Sequence, residues 1–472
     1  MNKIVKSECE VLLIYPPYFR LLGEFRAWYP LGVGYLASYL NSFGIPTKVY
    51  NADTELFKNE NIISYKDKFY KSEAVLPNKN EQFILHEMKN VLKSLQPRII
   101  GISVLTENIP LINDIIQVCH DSLSNVPIII GGAHTLISQN LTKEICDWDY
   151  ILIGDAEESL FALVKYLLGL NSSPSLKEID GLIYKEDERI RNNGILKISD
   201  NLDCLPFPNL RDMYSFNIDL KEKFKKVMIS TTRGCPFKCT FCYMNKYYKE
   251  MRYRSPESVI KEIEFNAFSF DITKFYFIDD SFGTNKSFFY DLCNLINSLS
   301  FDIKWSCMTH EKLISRERLE TMKKAGCDSI HLGIESGSDR ILKLLGKKTT
   351  VSQIETKARL INDAGLKLKA FFMVGMPTET EEDIKKSMEL LKKIEPHEAI
   401  LQIYVPYPNT KLYDYINENI CNIASFYNWS NFYKAKINYQ MIGEIHQKRF
   451  DTLLKNFFNL VEEINEENKV YG

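Results

Sequence analysis

Three cysteines lie within eight residues, at Cys235, Cys239 and Cys242. A [4Fe–4S] cluster that is fully ligated by protein takes four cysteine thiolates, so a loop with three leaves one iron open to an outside ligand. A structural zinc site needs a fourth Cys or His close by, but the next ones in the chain are Cys293 and His310. The spacing therefore predicts an iron–sulfur cluster with a vacant coordination position.

The elements that must position this loop alternate between short apolar runs and helical patterns. The candidate strands are Val227–Thr231, Lys274–Ile278, Ile303–Cys307, Ser329–Leu332, Leu368–Val374 and Ala399–Tyr404. Helix signals separate them, such as Ser255 before Pro256 and a helix opened by Ser315 and closed by Gly326. Six units are too few for a closed eight-stranded barrel, so we expect a smaller α/β domain over 225–412 with the cysteine loop after its first strand.

The chain before this domain also alternates between short apolar runs and helical patterns. Five candidate strands are Glu10–Tyr15, Thr47–Tyr50, Ile99–Ser103, Pro127–Ile130 and Tyr150–Ile153, with helical patterns between them. This order predicts an N-terminal doubly wound parallel sheet over 1–171. We expect 172–224 to be a linker with a hairpin that turns at Asn193-Gly194. Residues 413–472 are expected to form a helical C-terminal cap or lid, with an aromatic run at Phe426–Tyr433.

The segment Thr232–Tyr243 resembles the cluster loop of the radical S-adenosylmethionine (SAM) family, whose partial (β/α)6 barrel also has six strands. The resemblance implies that SAM chelates the open iron and is split into methionine and a 5′-deoxyadenosyl radical. Three further motifs, Ile278–Phe282, Gly333–Gly337 and Val374–Thr380, follow successive strands as the family's SAM-contacting motifs do. The implied SAM-binding residues are Phe241, Tyr243, Asp279, Asp280, Glu335, Ser336 and Gly375. The alternatives are a helix cap for the two acids, ordinary turns for the glycine motifs and loop packing for the aromatic residues.

A doubly wound domain ahead of such a barrel resembles the cobalamin-binding subclass of this family. The residues that would contact cobalamin follow the sheet's strands: Leu31, Gly32, Ser103, Thr106, Gly131, Gly132, Gly154 and Glu157. Many cobalamin domains supply a histidine to cobalt after the first strand, yet the first histidine here is His86. Radical SAM relatives commonly lack that ligand, so its absence fits the subclass. The alternative is a domain that has lost cobalamin and only supports the barrel.

The resemblance implies a cobalamin-dependent radical SAM enzyme that methylates an unactivated carbon. An oxidative cyclase or rearrangement enzyme with the same cofactors remains open, and so does a non-catalytic cobalamin or redox sensor. The expected partners are a small-molecule or peptide substrate and an electron donor such as flavodoxin or ferredoxin. The net charge of −2 favours no nucleic acid, and the apolar runs are too short to span a membrane, so we expect a cytoplasmic protein.

Overall fold

The computed structural model describes residues 8–18, 20–22, 29–53, 78–138, 141–194, 201–214, 226–248, 250–423 and 444–471. These residues divide into two compact units. Of the described residues, those within 8–194 and 204–214 belong to the first unit, and those within 201–203, 226–423 and 444–471 belong to the second. The predicted aromatic run at Phe426–Tyr433 lies outside the described residues. No described helix is both long and apolar enough to cross a membrane.

The first unit is built on a seven-stranded sheet in the order β2-β1-β3-β4-β5-β6-β7. Its strands are β1 (Val11–Tyr15), β2 (Thr47–Asn51), β3 (Ile99–Ser103), β4 (Ile128–Gly131), β5 (Tyr150–Leu152), β6 (Leu182–Glu186) and β7 (Arg189–Asn192). The first five run parallel. Residues Val11–Ile14 of β1 are all buried, as expected for a parallel strand covered by helices on both faces. The predicted doubly wound sheet is confirmed.

Helices connect the parallel strands of the first unit. They are α1 (Leu31–Ser42), α2 (Asn78–Leu95), α3 (Ile109–Ser122), α4 (His134–Ile137), α5 (Leu141–Glu144) and α6 (Glu157–Leu167). The N–H of Gly44 bonds to the carbonyl of Asn41 just beyond α1, and its φ of 76° is the left-handed conformation typical of a residue after a helix end. Helix α1 therefore ends on a left-handed glycine.

The hairpin formed by β6 and β7 differs from its prediction. Its turn is at Asp187 and Glu188, both with positive φ, and Asn193-Gly194 comes after β7. Such a two-residue turn matches the twist of antiparallel strands without needing the Asn-Gly pair. The predicted turn at Asn193-Gly194 is therefore wrong, because two acidic residues adopt the left-handed conformation earlier in the chain. Strand β6 pairs antiparallel with β5, so the hairpin extends the first sheet instead of standing apart as a connector.

The second unit is built on a six-stranded parallel sheet in the order β15-β14-β13-β12-β11-β8. Its strands are β8 (Val227–Ile229), β11 (Lys274–Phe277), β12 (Lys304–Thr309), β13 (Cys327–Glu335), β14 (Lys367–Val374) and β15 (Glu398–Ile403). A small antiparallel pair, β9 (Thr232–Arg233) and β10 (Arg252–Tyr253), lies beside the cysteine loop. Because β8 and β15 do not pair with each other, the sheet is open, and the predicted six strand–helix units are confirmed.

Polar side-chain caps start six of the described helices of the second unit. These helices are α7 (Met244–Tyr247), α8 (Pro256–Phe270), α9 (Lys286–Asn297), α10 (Arg316–Lys324), α11 (Asp339–Leu344), α12 (Val351–Asp363), α13 (Glu381–Ile394), α14 (Lys411–Asn419) and α15 (Gln447–Tyr471). The hydroxyls of Ser255 and Ser315 accept from the N–H groups of Ser258 and Arg318, so both predicted caps are confirmed.

Helix α15 covers the outer edge of the second sheet. The side-chain amide of Asn465 accepts from the N–H of Ala399 at 2.7 Å and donates to its carbonyl at 2.9 Å. The ring of Phe457 packs against Phe372 of β14, with centroids 5.7 Å apart. An exposed strand edge invites pairing with other chains, so this helix protects β15. In the part of the chain that the structure describes, the C-terminal segment therefore acts as a packing cap.

Candidate functional site

The cysteine loop follows β9 at the carboxyl end of the second sheet and is fixed at its middle. Thr240 donates from its N–H to the carbonyl of Leu345 at 2.9 Å and from its hydroxyl to the carbonyl of Leu344 at 2.8 Å. Its own carbonyl accepts from the N–H of Leu412, also at 2.9 Å. The C-terminal end of α11 and the start of α14 thus hold the loop between the second and third cysteines. This anchoring fixes the backbone that carries the thiols.

The three thiols of this loop form no disulfide, are partly exposed and are close enough to influence one another. Burial raises the pKa of Cys239 to about 11 and that of Cys242 to about 12, and Cys235 adds to both shifts. Within the described residues, no group of three His, Cys, Asp or Glu side chains converges on a single metal ion. A cube binds each cysteine at a different iron, so its ligands need not converge on one point. The arrangement fits a cluster better than a single ion.

A buried charged group lies next to the loop. Glu311 and Lys347 are 3% and 5% exposed, and their side chains approach to 3.5 Å between Oε2 and Nζ. Lys347 also donates to the carbonyl of Gly333, and both charges influence the pKa of Cys239. Among the described residues, Oε1 of Glu311 has no hydrogen-bond partner. An orphaned buried carboxylate oxygen is costly, which indicates that a ligand satisfies it.

Sequence reasoning missed Glu311 and Lys347. They are 36 positions apart in the sequence, and nothing local distinguishes Lys347 from a surface lysine after a helix. Only the order of the strands brings the two together. The ring of the neighbouring His310 stacks on Phe237 of the cysteine loop, with centroids 3.6 Å apart. Burial, with help from Lys347, lowers the pKa of His310 to about 3, so this ring is neutral.

Glu335 occupies a strained position at the end of β13. Its φ of 68° is left-handed, and the pairing register between β13 and β14 shifts between Gly333 and Glu335. Bulges and left-handed non-glycine residues cluster at functional sites, because they re-aim a side chain. Burial raises the pKa of Glu335, while Lys347 opposes that shift. The structure therefore brings this predicted residue into the charged group beside the cysteines.

Ser336, the next residue in the predicted ribose motif, is fully buried. Its hydroxyl accepts from the N–H of Ser338 at 3.2 Å and lies 3.3 Å from the hydroxyl of Ser387 on α13. These bonds fasten the turn after β13 to α13. The side chain of Ser336 thus contributes to the turn itself.

The two predicted acids after β11 have different surroundings. Asp279 is 2% exposed, and its carboxylate accepts from the N–H groups of Thr231 and Thr232 at 2.7 and 2.9 Å. Burial raises the pKa of Asp279 to about 6 against the lowering effect of these bonds. Asp279 therefore holds the turn that leads into the cysteine loop. Asp280 is exposed, and its charge raises the pKa values of Cys235 and Cys242.

The turn after β14 is organised around Gly375 and a buried acid. Gly375 has a φ of 83°, and its N–H donates to Oε2 of Glu379 at 2.6 Å. Glu379 is fully buried, and burial raises its pKa to about 8. Its second oxygen, Oε1, has no partner among the described residues. Sequence reasoning placed this turn at the site but did not identify Glu379 as its internal anchor.

The two predicted aromatic residues of the loop pack against protein. Phe241 contacts the buried cluster that includes Ile341, Leu345 and Met376. The ring of Tyr243 meets the edge of Tyr407, with centroids 6.1 Å apart and planes at 69°. These contacts place the end of the loop beside α11 and the segments that follow β14 and β15. Both rings remain partly exposed, so neither is fully buried in the core.

The predicted residues of the first unit gather at the carboxyl edge of its sheet. Ser103 and Gly131 are paired at the ends of β3 and β4. A Cβ on Gly132 would lie 2.6 Å from the backbone nitrogen of Val104, so only glycine fits this close approach. The other predicted residues follow their strands at the same edge: Leu31 and Gly32 in the first turn of α1, Thr106 after β3, Gly154 after β5 and Glu157 at the start of α6.

A hydrogen-bonded chain runs beneath this edge. The hydroxyl of Thr106 lies 3.1 Å from Nδ1 of His134, and Nε2 of His134 lies 3.0 Å from Oε2 of Glu144. Ser138 donates to the same oxygen at 2.7 Å. His134 is fully buried and uses both ring nitrogens, so it is a core histidine that orients Thr106.

Two family models match the chain. The model of the radical SAM superfamily matches residues 229–391, and that of the B12 binding domain matches residues 26–164. The first match begins at β8 and includes the cysteine loop and the three turns described above. The second includes all the edge residues of the first unit. Each match lies within one compact unit.

Curated proteins and solved structures also resemble the chain. It is 29% identical to an uncharacterized methyltransferase of Pyrococcus horikoshii over 75% of this chain and 76% of that protein. It is 26% identical to the anaerobic magnesium-protoporphyrin IX monomethyl ester cyclase of Cereibacter sphaeroides over 72% of this chain, which spans just over half (56%) of that enzyme. The structure of the radical SAM methyltransferase TsrM from Kitasatospora setae, with cobalamin and a [4Fe–4S] cluster bound, has a TM-score of 0.64 at 15% identity. That alignment covers 87% of this chain and 75% of TsrM and shows a shared fold.

Proposed function

We propose that this chain, which belongs to the radical SAM superfamily and carries a B12-binding domain, transfers a methyl group to an unactivated carbon of its substrate. Both matched domains agree with the family expected from the sequence, so the prediction of a cobalamin-dependent radical SAM enzyme is confirmed. When bound, the cluster and SAM supply a carbon-centred radical, and cobalamin supplies the methyl group. The residues of the chain bind, orient and shield these groups.

The surroundings of the cysteine loop support binding of a cluster and SAM. Cys235, Cys239 and Cys242 would ligate the cluster and leave one iron for SAM. The amino acid part of SAM carries an ammonium and a carboxylate, and the site offers partners for both: the acids Asp280, Glu335 and Glu311 and the ammonium of Lys347. Oε1 of Glu311, which has no partner among the described residues, would accept a hydrogen bond from that ammonium.

The remaining SAM contacts are assigned to the turns after the strands. Glu335 would accept from ribose hydroxyls, whereas Ser336 would shape the turn that presents it. Adenine would be contacted by the backbone of Gly375 and by the partly exposed rings of Phe241 and Tyr243. Asp279 would act indirectly, because its carboxylate is already engaged by Thr231 and Thr232.

The carboxyl edge of the first sheet supports binding of cobalamin. Open sheets of this kind bind ligands at this edge, and glycines there let backbone approach a nucleotide tail. Gly32 has open space where a Cβ would stand, and Gly132 closes tightly on Val104. Ser103, Thr106 and Glu157 offer polar groups toward the tail. Both ring nitrogens of His134 are hydrogen-bonded, to Thr106 and to Glu144. His134 would therefore not ligate cobalt.

Methyl transfer rests on one observation above all, the three-cysteine loop combined with a B12-binding domain in one chain. The relative named a methyltransferase and the TsrM fold support this reaction. The cyclase relative supports the second candidate, oxidative cyclisation with the same cofactors. The two differ in product, because methyl transfer adds a carbon and cyclisation does not.

The electron donor, the substrate and the compartment that we propose follow from the same chemistry. A reduced flavodoxin or ferredoxin would supply electrons to the cluster, and a small molecule or peptide would be the substrate. None of the eleven cysteines, all of which the structure describes, forms a disulfide, which supports a reducing compartment such as the cytoplasm.

A labelling experiment tests the proposal. The anaerobically reconstituted protein is incubated with CD3-labelled SAM, cobalamin, a low-potential reductant and a metabolite extract of the source cells, and the products are separated by mass spectrometry. Methyl transfer predicts 5′-deoxyadenosine together with a metabolite that gains the labelled methyl group. A product without the label, formed with 5′-deoxyadenosine, would favour cyclisation. A reducible cluster that yields no 5′-deoxyadenosine would favour the sensor.

A further inference from the structure

One face of the second sheet is partly exposed. From Ser329 along β13 and from Leu368 along β14, buried side chains alternate with partly exposed ones. The buried set on β14 includes Phe372, which packs on Phe457 of α15, so this set faces the helices. The partly exposed set on β14, Lys369, Phe371 and Met373, therefore lies on the opposite, inner face. A filled eight-stranded barrel would bury these side chains in its core.

The inner face is concave. The rings of Tyr276 and His331 stack with centroids 5.0 Å apart and planes at 28°, although β12 separates their strands. Neighbouring strands are about 4.8 Å apart, so the backbones of β11 and β13 are separated by roughly twice that distance. The small side chain of Ser306 on β12 leaves room for the two rings to meet above it. The side chains converge on the inner side, as they do in a curved sheet.

An aromatic platform lines this concave face. We use the name for Tyr276, His331 and Phe371; the rings of His331 and Phe371 are 6.2 Å apart. Burial and two nearby lysines lower the pKa of His331 to about 3, so the imidazole is neutral and belongs to an uncharged surface. At the carboxyl end of β11, the side chain of Ile278 is 39% exposed. Partly exposed rings and aliphatic groups in a concavity are characteristic of ligand-binding surfaces.

Two lysines stand beside the platform toward the amino ends of the strands. Nζ of Lys369 is 5.7 Å from the ring centroid of Phe371 and forms an ion pair with Glu398 at 2.6 Å. Nζ of Lys226 is 5.3 Å from the ring centroid of Tyr276 and donates to the hydroxyl of Ser306 at 2.6 Å. Among the described residues, Lys226 forms no ion pair with a carboxylate. Burial lowers its pKa, and the charges of Asp328 and Glu398 oppose that shift.

We propose that the platform and Lys226 form the substrate site of this enzyme, and that the substrate carries a flat aromatic or conjugated ring and an anionic group. The ring packs against the platform, and the carboxylate or phosphate pairs with Lys226. His331 lies on the same strand as Glu335, four residues away, so a bound ring is about 13 Å along β13 from the charged group beside the cysteines. The inference rests on the proposed function and adds the class of substrate.

Three small probes test both features on the reconstituted holoenzyme by isothermal titration calorimetry. 2-Naphthoate has a ring and a charge, 2-naphthalenemethanol has only the ring, and cyclohexanecarboxylate has only the charge. Because stacking and a charge contact each contribute on the order of 1 kcal/mol, we expect naphthoate to bind about fivefold more tightly than either partial probe. Equal affinities for the three probes, or no measurable binding of naphthoate, would overturn the proposal.

Two variants assign the effects to residues. Phe371→Leu keeps an apolar side chain but removes the ring, so the affinity for naphthoate should fall about fivefold while that for cyclohexanecarboxylate is unchanged. Lys226→Gln should remove the preference for naphthoate over naphthalenemethanol. The matched control is Phe268→Leu on α8, where a ring that is 73% exposed contacts Phe301 on the outside of the unit. If the control weakens binding and the two site variants do not, the site is elsewhere.

The outcomes separate this inference from the proposed function. Iron content, bound cobalamin and 5′-deoxyadenosine formed without substrate report the cofactor machinery, which neither variant touches. A holoenzyme that cleaves SAM but does not distinguish the probes refutes the substrate class alone. A protein that distinguishes the probes but never cleaves SAM retains the site and refutes the proposed function.

Discussion

Replacement of Glu379 by glutamine should change how the stability of the second unit depends on pH. Glu379 is fully buried, its Oε2 accepts from the N–H of Gly375 at 2.6 Å, and burial raises its pKa to about 8 from an ordinary 4.5. Between these two pH values the folded chain holds a proton on Glu379 that the unfolded chain has released. The free energy of unfolding contributed by this group therefore falls as pH rises.

The size of the effect follows from the two pKa values. Each pH unit within this window changes the free energy by about 1.4 kcal/mol, so the loss between pH 5 and 7.5 is about 3 kcal/mol. Glutamine stays neutral at every pH and can still accept from Gly375. We expect the free energies of unfolding of Glu379→Gln and the wild type to differ little near pH 4.5, apart from a constant offset. The variant should then gain about 3 kcal/mol relative to the wild type by pH 7.5.

Urea unfolding at several pH values measures this difference. The protein is equilibrated in urea at each pH and pulse-labelled by hydrogen exchange at one fixed pH, and peptides from β14 and α13 are followed. The matched control is Glu382→Gln on α13, whose side chain is 68% exposed and should leave the pH profile unchanged. Parallel profiles for the wild type and Glu379→Gln would refute the reasoning, because they would show that the folded chain carries no extra proton there.

Three further changes test other parts of the structure. Cys239→Ala should lower iron content and abolish 5′-deoxyadenosine formation while circular dichroism stays native, and full iron loading would contradict the ligand assignment. Gly132→Ala should destabilise the first unit by about 1–3 kcal/mol and reduce bound cobalamin, because its Cβ would meet Val104 and its φ is 99°. The control Gly169→Ala also has a positive φ but meets no atom within 4 Å, so equal losses in both variants would exclude the close contact as the cause. Glu262→Gln should cost about 3–5 kcal/mol in urea unfolding, because it removes the buried carboxylate that pairs with Arg254, and a loss under 1 kcal/mol would contradict this.

The sequence predicts the local parts of the structure well, because their signals are short in range. The cysteine spacing, the apolar runs of the eleven predicted strands and the serine caps at Ser255 and Ser315 each depend on a few neighbouring residues. The resemblance to a known family then gave the order of the turns around the cysteines. The turn at Asp187 was missed, since a left-handed conformation at acidic residues competes with the stronger Asn-Gly signal nearby.

The charged group beside the cysteines depends on long-range packing and was not predictable. Lys347 and Glu311 meet only because β12 and β13 are neighbours and α11 returns toward the cysteine loop. The same holds for Glu379, whose buried state follows from the closure of the turn after β14. For Asp279 the sequence predicted the position but not the contacts. It lies near the site as expected, but its carboxylate accepts hydrogen bonds from Thr231 and Thr232.

Electron paramagnetic resonance of the anaerobically purified, reduced protein, with and without SAM, tests the central claim most directly. Because three cysteines leave one iron open, we expect a [4Fe–4S] signal, about four irons per chain, and a clear change in the spectrum when SAM binds that iron. Substitution of any one of Cys235, Cys239 and Cys242 should remove that signal. A full cluster whose spectrum is unchanged by saturating SAM would contradict the account, because no iron would then be open to a ligand.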